Sequence, residues 1–286
     1  MRTLFSLLIC SVCFIGCDKT VDSSTDTATA RTTTVSYVCI GMEYSERFGS
    51  CAGCKLDSLR MKSLFQRSYG YNGVLLQSQQ ATKAAVVEAI RNAAGALPKD
   101  GLFILYYSGH GGQEDLSEAF GGKLQEPEGA DELDEYLCLY DTYLLDDEIW
   151  KLLSEFKCRV FLIFDACHSQ TMFRSIEGDV AAEMGLGIAL GEPKMVKSAG
   201  FRLSERGIAL DADSLRMLCW SGCEEAEYSY GSSKGGMLTN AILKHWTSGI
   251  SYSNLFEKAY KTVNADYPTQ HPTQTQYGSG FEEAFR

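Results

Sequence analysis

The sequence predicts an α/β fold in which a mostly parallel central sheet carries helices on both faces, a three-layer sandwich. Three observations carry this. From Val35 to the C-terminus, apolar runs of strand length alternate with stretches of helical periodicity, the pattern that winds a parallel, doubly covered sheet. Two of the runs, Leu102–Tyr107 and Val160–Phe164, are long enough for buried strands. Each then stops at small residues and presents a reactive side chain, in Ser108-Gly109-His110-Gly111-Gly112 and Asp165-Ala166-Cys167-His168-Ser169.

The elements follow in order. Val35–Gly41 is a first buried strand. Cys54–Gln66 places Leu56, Leu59, Met61 and Leu64-Phe65 near helical spacing, and Val74–Leu76 is a short second strand. Thr82–Leu97 is the clearest helix, with a wide Ala/Val/Ile face that Pro98 stops. After the strand Leu102–Tyr107 comes a Gly- and acid-rich excursion. Leu144–Phe156 is a predicted helix and Val160–Phe164 the fourth strand. Leu215–Trp220 is a fifth strand, and Met237–Trp246 and Asn254–Val263 are helices. Ser175–Asp213 is long and weakly periodic, as functional or disordered loops are.

The N-terminus is expected to lie outside this domain. Arg2 and the apolar run Leu4–Ile15 form a signal segment (residues 1–16), too short to span a bilayer comfortably. Gly16-Cys17 resembles a bacterial lipobox, which makes Cys17 a lipidation site, with an ordinary secretory signal as the rival. Residues 17–34 have the Ser/Thr/Asp composition of a flexible tether, and residues 35–286 form the folded domain. The protein is accordingly expected to be exported, anchored to an envelope membrane through that lipid or else periplasmic or secreted, and a monomer. A net charge of −11 with no Lys/Arg cluster argues against a nucleic-acid binder. Of the 11 cysteines, Cys39 and Cys158 fall in or beside apolar strands. Cys51-Ala52-Gly53-Cys54 is a lone CxxC without the second ligand pair that zinc needs, and a disulfide within it or between Cys219 and Cys223 stays open.

In an open α/β sheet the crevice beyond the carboxyl ends of the strands binds ligands. His110 and Cys167 are therefore expected side by side at one mouth. A thiol attacks a carbonyl as thiolate, and a neighbouring imidazole takes its proton and returns it to the leaving amine. Glycines beside the histidine let backbone approach a substrate, and a free N–H there helps to hold an oxyanion. A single histidine or cysteine after a strand is ordinarily structural; the pair at matching strand ends is what points to a cysteine hydrolase. His168 abuts Cys167, but adjacent side chains point apart, so it is assigned to the turn. His245 and His271 have no reactive partner nearby in sequence.

The motifs Tyr107-Ser108-Gly109-His110-Gly111 and Asp165-Ala166-Cys167-His168-Ser169 resemble those of the metacaspase branch of caspase-like cysteine peptidases, with Ala166 and Gln170 departing from the family form. The His-to-Cys interval is close to the roughly 50 residues of caspases. Gly53–Asp57, the acidic stretch Asp134–Glu148 and Leu218–Cys223 extend the likeness over nearly the whole domain. The resemblance implies the caspase-hemoglobinase fold and a Cys167/His110 dyad forming an acyl-enzyme. It further implies oxyanion donors from the N–H groups of Gly111 and Cys167, and a pocket of Cys54, Asp57, Ser108 and Asp165 that takes Arg or Lys before the scissile bond of a polypeptide. Carboxylates facing a cationic side chain agree with that specificity.

The family's calcium ligands correspond to Asp134, Asp146 and Asp147, whose hard oxygens suit Ca2+. Its fourth ligand position holds Arg174. The run Asp146-Asp147-Glu148 equally suits the first turn of a helix, where acids favour the dipole. Self-processing, known in part of the family, would fall at Lys194, Lys197, Arg202 or Arg206 in the long loop. Two rival readings are a catalytically silent caspase-like binding module anchored at the envelope and a cysteine hydrolase of the same fold with other specificity.

Overall fold

Strand β1 (Val35–Gly41) lies between β4 (Gly73–Gln77) and β5 (Leu102–Glu114), and the sheet continues through β8 (Arg159–His168) and β10 (Arg216–Ser221) to β13 (Thr273–Tyr277). Neighbours from β4 to β10 are parallel, and β13 closes the edge antiparallel. Strands β6 (Asp134–Cys138) and β7 (Tyr143–Leu145) bring this sheet to eight strands. This computed structural model describes residues 33–45, 47–70, 73–114, 134–168, 195–198, 216–224, 227–282 and 285.

The pleat sends alternate side chains to opposite faces, and each face has its own core. Along β5 and β8, Phe103, Leu105, Tyr107, Leu162 and Phe164 pack with Val86 and Ile90 of α2 (Lys83–Gly95) and Ile149 and Leu153 of α3 (Asp146–Ser154). Ile104, Tyr106, Phe161 and Ile163 face the other way. They meet Met61 and Phe65 of α1 (Cys54–Tyr69), Leu238 and Ile242 of α4 (Met237–His245), and Leu255, Ala259 and Val263 of α5 (Tyr252–Asp266). The result is the three-layer sandwich. Phe161 anchors the second face, edge-on to Trp220 at 4.8 Å and to Tyr252 at 5.1 Å, contacts each contributing about 0.5–1.5 kcal/mol beyond burial.

The structure departs from the sequence expectation at strand ends. β5 does not stop at Tyr107. It stays paired with β8 as far as Gly111↔His168, and from Gly111 to Glu114 it also pairs antiparallel with β6. The Gly- and acid-rich excursion therefore contains a strand. The predicted helix Leu144–Phe156 loses its start to β7, which pairs with β6, because Leu144 and Leu145 are buried in extended backbone. Helix α3 then opens at Asp146, and Glu148 Oε2 accepts the Leu145 N–H at 3.1 Å. Within the long loop, Met195–Ser198 forms β9 in a second, three-stranded sheet with β11 (Tyr228–Ser232) and β12 (Gly235–Gly236). A small hairpin, β2 (Tyr44–Ser45) with β3 (Gly49–Ser50), precedes α1. The signal segment, Cys17 and residues 18–32 lie outside the described residues. Among the described residues, no helix is long and apolar enough to cross a membrane.

Candidate active site

β5 and β8 run side by side in one register in which Ser108 pairs with Asp165, Gly109 with Ala166, His110 with Cys167, and Gly111 with His168. Neighbouring strands lie about 4.8 Å apart. The two sequence motifs thus meet rung by rung, inside the ladder and not beyond its end. For Cys167 and His168 the structure describes the backbone alone.

His110 is buried, and its Nε2 lies 3.0 Å from the carbonyl oxygen of Ser50 on β3. A carbonyl only accepts, so Nε2 carries the proton in this pairing and the basic nitrogen of the neutral ring is Nδ1. Behind the histidine, the Tyr107 hydroxyl lies 2.6 Å from the His110 carbonyl and 2.8 Å from that of Cys138, tying β5 to β6. Gly109 permits this folding back: a Cβ there would overlap the Tyr107 hydroxyl and Met42. Gly111, the expected oxyanion donor, sits between His168 of β8 and Leu137 of β6.

Two rungs below, on the far side of the Gly109–Ala166 pair, three residues of the expected pocket come together. Ser108, Asp57 and Asp165 are each fully buried. Ser108 Oγ donates to Asp57 Oδ2 at 3.0 Å, and the Gly236 N–H donates to the same oxygen at 2.8 Å. Asp165 Oδ2 accepts from the N–H of Thr239 at 2.9 Å and from its hydroxyl at 2.6 Å, while Oδ1 accepts from Ser229 Oγ at 3.2 Å. Both carboxylates pack on one dipeptide. A Cβ on Gly235 would overlap Asp57, and one on Gly236 would overlap Asp165. Arg60, one turn beyond Asp57, directs its guanidinium to Asn240 Oδ1 at 2.6 Å and to the Lys234 carbonyl. Among the described residues the donors that hold Asp165 are neutral, so they solvate the carboxylate without cancelling its charge. A buried anion of this kind is best offset by a cation. The field is felt nearby: burial first, then the charges of Glu227, Asp165 and Glu224, push the Cys223 thiol well up.

Cys54, the fourth expected pocket residue, begins α1 and is fully buried, with its sulfur 2.9 Å from that of Cys51. The other open pairing does not form a contact of this kind, since the Cys223 thiol donates to the Glu227 carbonyl at 3.4 Å. Sequence reasoning missed the residues that hold the two carboxylates, Thr239, Ser229 and Gly235-Gly236, and Gln270, whose Nε2 reaches Ser229 Oγ at 3.1 Å. It also missed the Ser50 carbonyl. Backbone groups and small residues distant along the chain carry no local signal; Gly235-Gly236 just ahead of a helix was the one mark available. His245 and His271 are structural, the first 2.7 Å from the Thr262 hydroxyl and the second paired with Glu227.

Of the expected calcium ligands, Asp146 is buried at the first position of α3. The side chains of Asp134 and Asp147 lie outside the described residues. Among the described residues no group of three or more His, Cys, Asp or Glu side chains is arranged to hold a metal ion. Glu148, next in the acidic run, caps α3 and pairs with Lys83 at 2.6 Å. Of the expected self-processing positions, Lys197 is on β9 opposite Ser229, and Lys194, Arg202 and Arg206 lie outside the described residues.

A parallel sheet with a histidine and a cysteine on adjacent central strands, next to two buried carboxylates, defines a class of cysteine hydrolase candidates with a caspase-type layout. The family comparison agrees: the profile described as "Caspase domain" matches residues 38–279. The chain belongs to the caspase-like cysteine peptidase family. It is similar to Metacaspase-1 of Cryptococcus neoformans, 26% identical over 248 residues covering 72% of this chain and 53% of that protein. Metacaspase-1A of Aspergillus niger is 26% identical over 285 residues, 82% of this chain and 68% of the relative. The chain thus spans about half the length of the Cryptococcus relative. A crystal structure of a protein from Geobacter sulfurreducens superposes with TM-score 0.63 at 23% identity, over 87% of this chain and 97% of that one. Caspase-1 from Spodoptera frugiperda superposes with TM-score 0.51 at 12% identity, over 86% and 87%. These two likenesses show the fold.

Proposed function

We propose that the protein is a cysteine endopeptidase that hydrolyses polypeptides after Arg or Lys, with Cys167 as nucleophile and His110 as base. The observation that carries this is the pair of buried carboxylates, Asp57 on α1 and Asp165 on β8, the latter two rungs from the His110–Cys167 register pair. An Arg or Lys side chain entering there meets two anions in a water-poor site, where charge-assisted hydrogen bonds are strongest. Seated against Asp165, it brings the following carbonyl towards the His110–Cys167 pair two rungs above.

His110, oriented through Nε2–H by the Ser50 carbonyl, takes the Cys167 proton on Nδ1. The sulfur then adds to the scissile carbonyl, and the oxyanion that forms is stabilised by the N–H groups of Gly111 and Cys167. The C–N bond breaks as the imidazolium gives its proton to the departing amine, leaving a thioester. Water, deprotonated by the same imidazole, attacks the thioester; the acid product leaves, and the thiol is restored. Cleavage within the long loop by the same enzyme, at Lys194, Lys197, Arg202 or Arg206, follows from this specificity. Attachment to an envelope membrane through Cys17 and calcium ligation by Asp134, Asp146 and Asp147 belong to the same reading.

Short peptides ending in Arg, Lys or Asp, assayed with calcium and with a chelator, test it. Cleavage after Arg and Lys, abolished by Cys167→Ala, is the expected result; activity that survives chelation removes calcium from the reading. Cleavage after Asp would overturn the pocket and keep the dyad. Hydrolysis of none of them by wild type would favour the silent binding module.

A further inference from the structure

The side chains of seven cysteines are described, all of them buried, and in five the thiol stands well apart from any other. Burial pushes the thiols of Cys39, Cys138 and Cys158 up, that of Cys219 to about 12, and that of Cys223 well up. Such thiols are poor nucleophiles and inert towards exchange. Cys51 and Cys54 are equally buried, but they face each other, so exchange at this pair needs only a local opening of the chain around them. They form a two-residue cluster of their own, sulfur to sulfur at 2.9 Å, about 0.9 Å beyond a covalent S–S bond. The Cys54 N–H points back at the Cys51 carbonyl at 3.4 Å, so the four residues close a tight turn. Cys54 opens a helix of 16 residues, and a helix N-terminus and the Cys-X-X-Cys spacing both favour thiol–disulfide exchange. Exposed Ser50 precedes the turn and exposed Lys55 follows it, and the hairpin before it has two residues per strand.

The turn also joins two parts of the site. Ser50, one residue before Cys51, supplies the carbonyl on His110 Nε2; Asp57, one helical turn after Cys54, supplies a pocket carboxylate. We propose that Cys51 and Cys54 are a reversible dithiol–disulfide pair, oxidised by small disulfides of the glutathione class, and that the disulfide clamps the Ser50 loop to the first turn of α1. One thiolate attacks the small disulfide, forming a mixed disulfide and releasing one glutathione thiol. The second protein thiolate attacks that mixed disulfide and releases the other. Two protein thiols are oxidised to one S–S bond, and one oxidised glutathione is reduced to two thiols. Opening of the short hairpin admits the reagent. Exported proteins meet oxidants of this kind, and the sequence expectation of export fits the pair.

The test uses the full chain carrying Cys167→Ala, equilibrated across ratios of reduced to oxidised glutathione, acid-quenched, denatured, alkylated and mapped by peptide mass spectrometry. The expected species has Cys51 and Cys54 unalkylated and two hydrogens lighter. It grows with the oxidised fraction, reverts on reduction, and leaves Cys39, Cys138 and Cys219 alkylated throughout. Alkylation of both cysteines at every ratio, or glutathione retained on one without transfer to the other, overturns the proposal. Hydrogen exchange of the amides of residues 43–53 tests the clamp: about tenfold slowing on oxidation is expected, absent in a protein that also carries Cys51→Ser. Equal exchange in both redox states overturns the clamp. Neither readout needs peptide cleavage, so they stand or fall apart from the hydrolase reading.

Discussion

Asp165 concentrates the chemistry of the pocket in one side chain. Its Oδ2 takes both donors of Thr239, and because the Thr239 hydroxyl gives its only proton to the carboxylate, the Tyr106 hydroxyl at 2.6 Å donates to Thr239 in turn. Removing the threonine hydroxyl leaves the buried carboxylate short of a charge-assisted bond, a loss of about 1.5–3 kcal/mol. Thr239→Val should therefore lower kcat/KM for Arg-ended peptides by about 10- to 100-fold, mainly through KM. Peptides without a cation should be unaffected. An equal fall for every peptide in steady-state assays would assign Thr239 a structural role only. Gly236→Ala is the steric counterpart. Its methyl would overlap Asp165 Oδ2, so the carboxylate must move, and selectivity for Arg over uncharged residues should collapse while Cys167 stays alkylatable.

At the scale of elements, what could be read from the chain depended on where the physical signal resides. β1, β5, β8 and β10 announce themselves because both faces of each strand are buried and the sequence must be continuously apolar. α2 and α5 announce themselves by period. β13 is different: Thr273-Gln274-Thr275-Gln276-Tyr277 is a polar edge strand, and its hold on the sheet includes the Trp220 indole N–H on Gln274 at 2.8 Å, a partner 54 residues away. β6 hides in an acidic stretch because it needs only β5 and β7 to exist. The candidate site divides in the same way. His110, Cys167, Asp165 and Ser108 lie in the two motifs, and the resemblance added Asp57 and Cys54. Thr239, Ser229 and the Ser50 carbonyl are specified only by tertiary contact. Helix caps belong to this scale too. Ser251 Oγ accepts the Asn254 N–H at 3.2 Å at the head of α5, far along the chain from every pocket residue. Ser251→Ala should cost about 1 kcal/mol and lower the melting temperature by about 2–4 °C, measured by calorimetry, with peptide selectivity unchanged.

At the scale of the whole molecule, five of the described thiols are kept protonated by enclosure, and this sets how the fold responds to alkali. In the unfolded chain a cysteine ionises near 9, whereas in the folded sheet Cys219 holds its proton to about 12 because burial disfavours the thiolate. Below pH 9 both states carry the proton, and the full stability is present. Above it the unfolded chain releases the proton while the folded chain retains it, so unfolding is favoured by about 1.4 kcal/mol per pH unit for each such thiol. That loss continues until the folded thiol itself ionises. Cys39 and Cys138 share the direction and the cause. Urea midpoints taken in reductant at pH 8, 9 and 10 should hold between the first two and fall between the last two. Cys219→Ala should begin less stable, having lost buried sulfur from β10, yet decline less steeply over the same interval. Tyrosine ionisation acts on both proteins alike and cancels in the comparison. Parallel declines for wild type and variant would show that the enclosure of Cys219 contributes nothing to the alkaline limit of the fold.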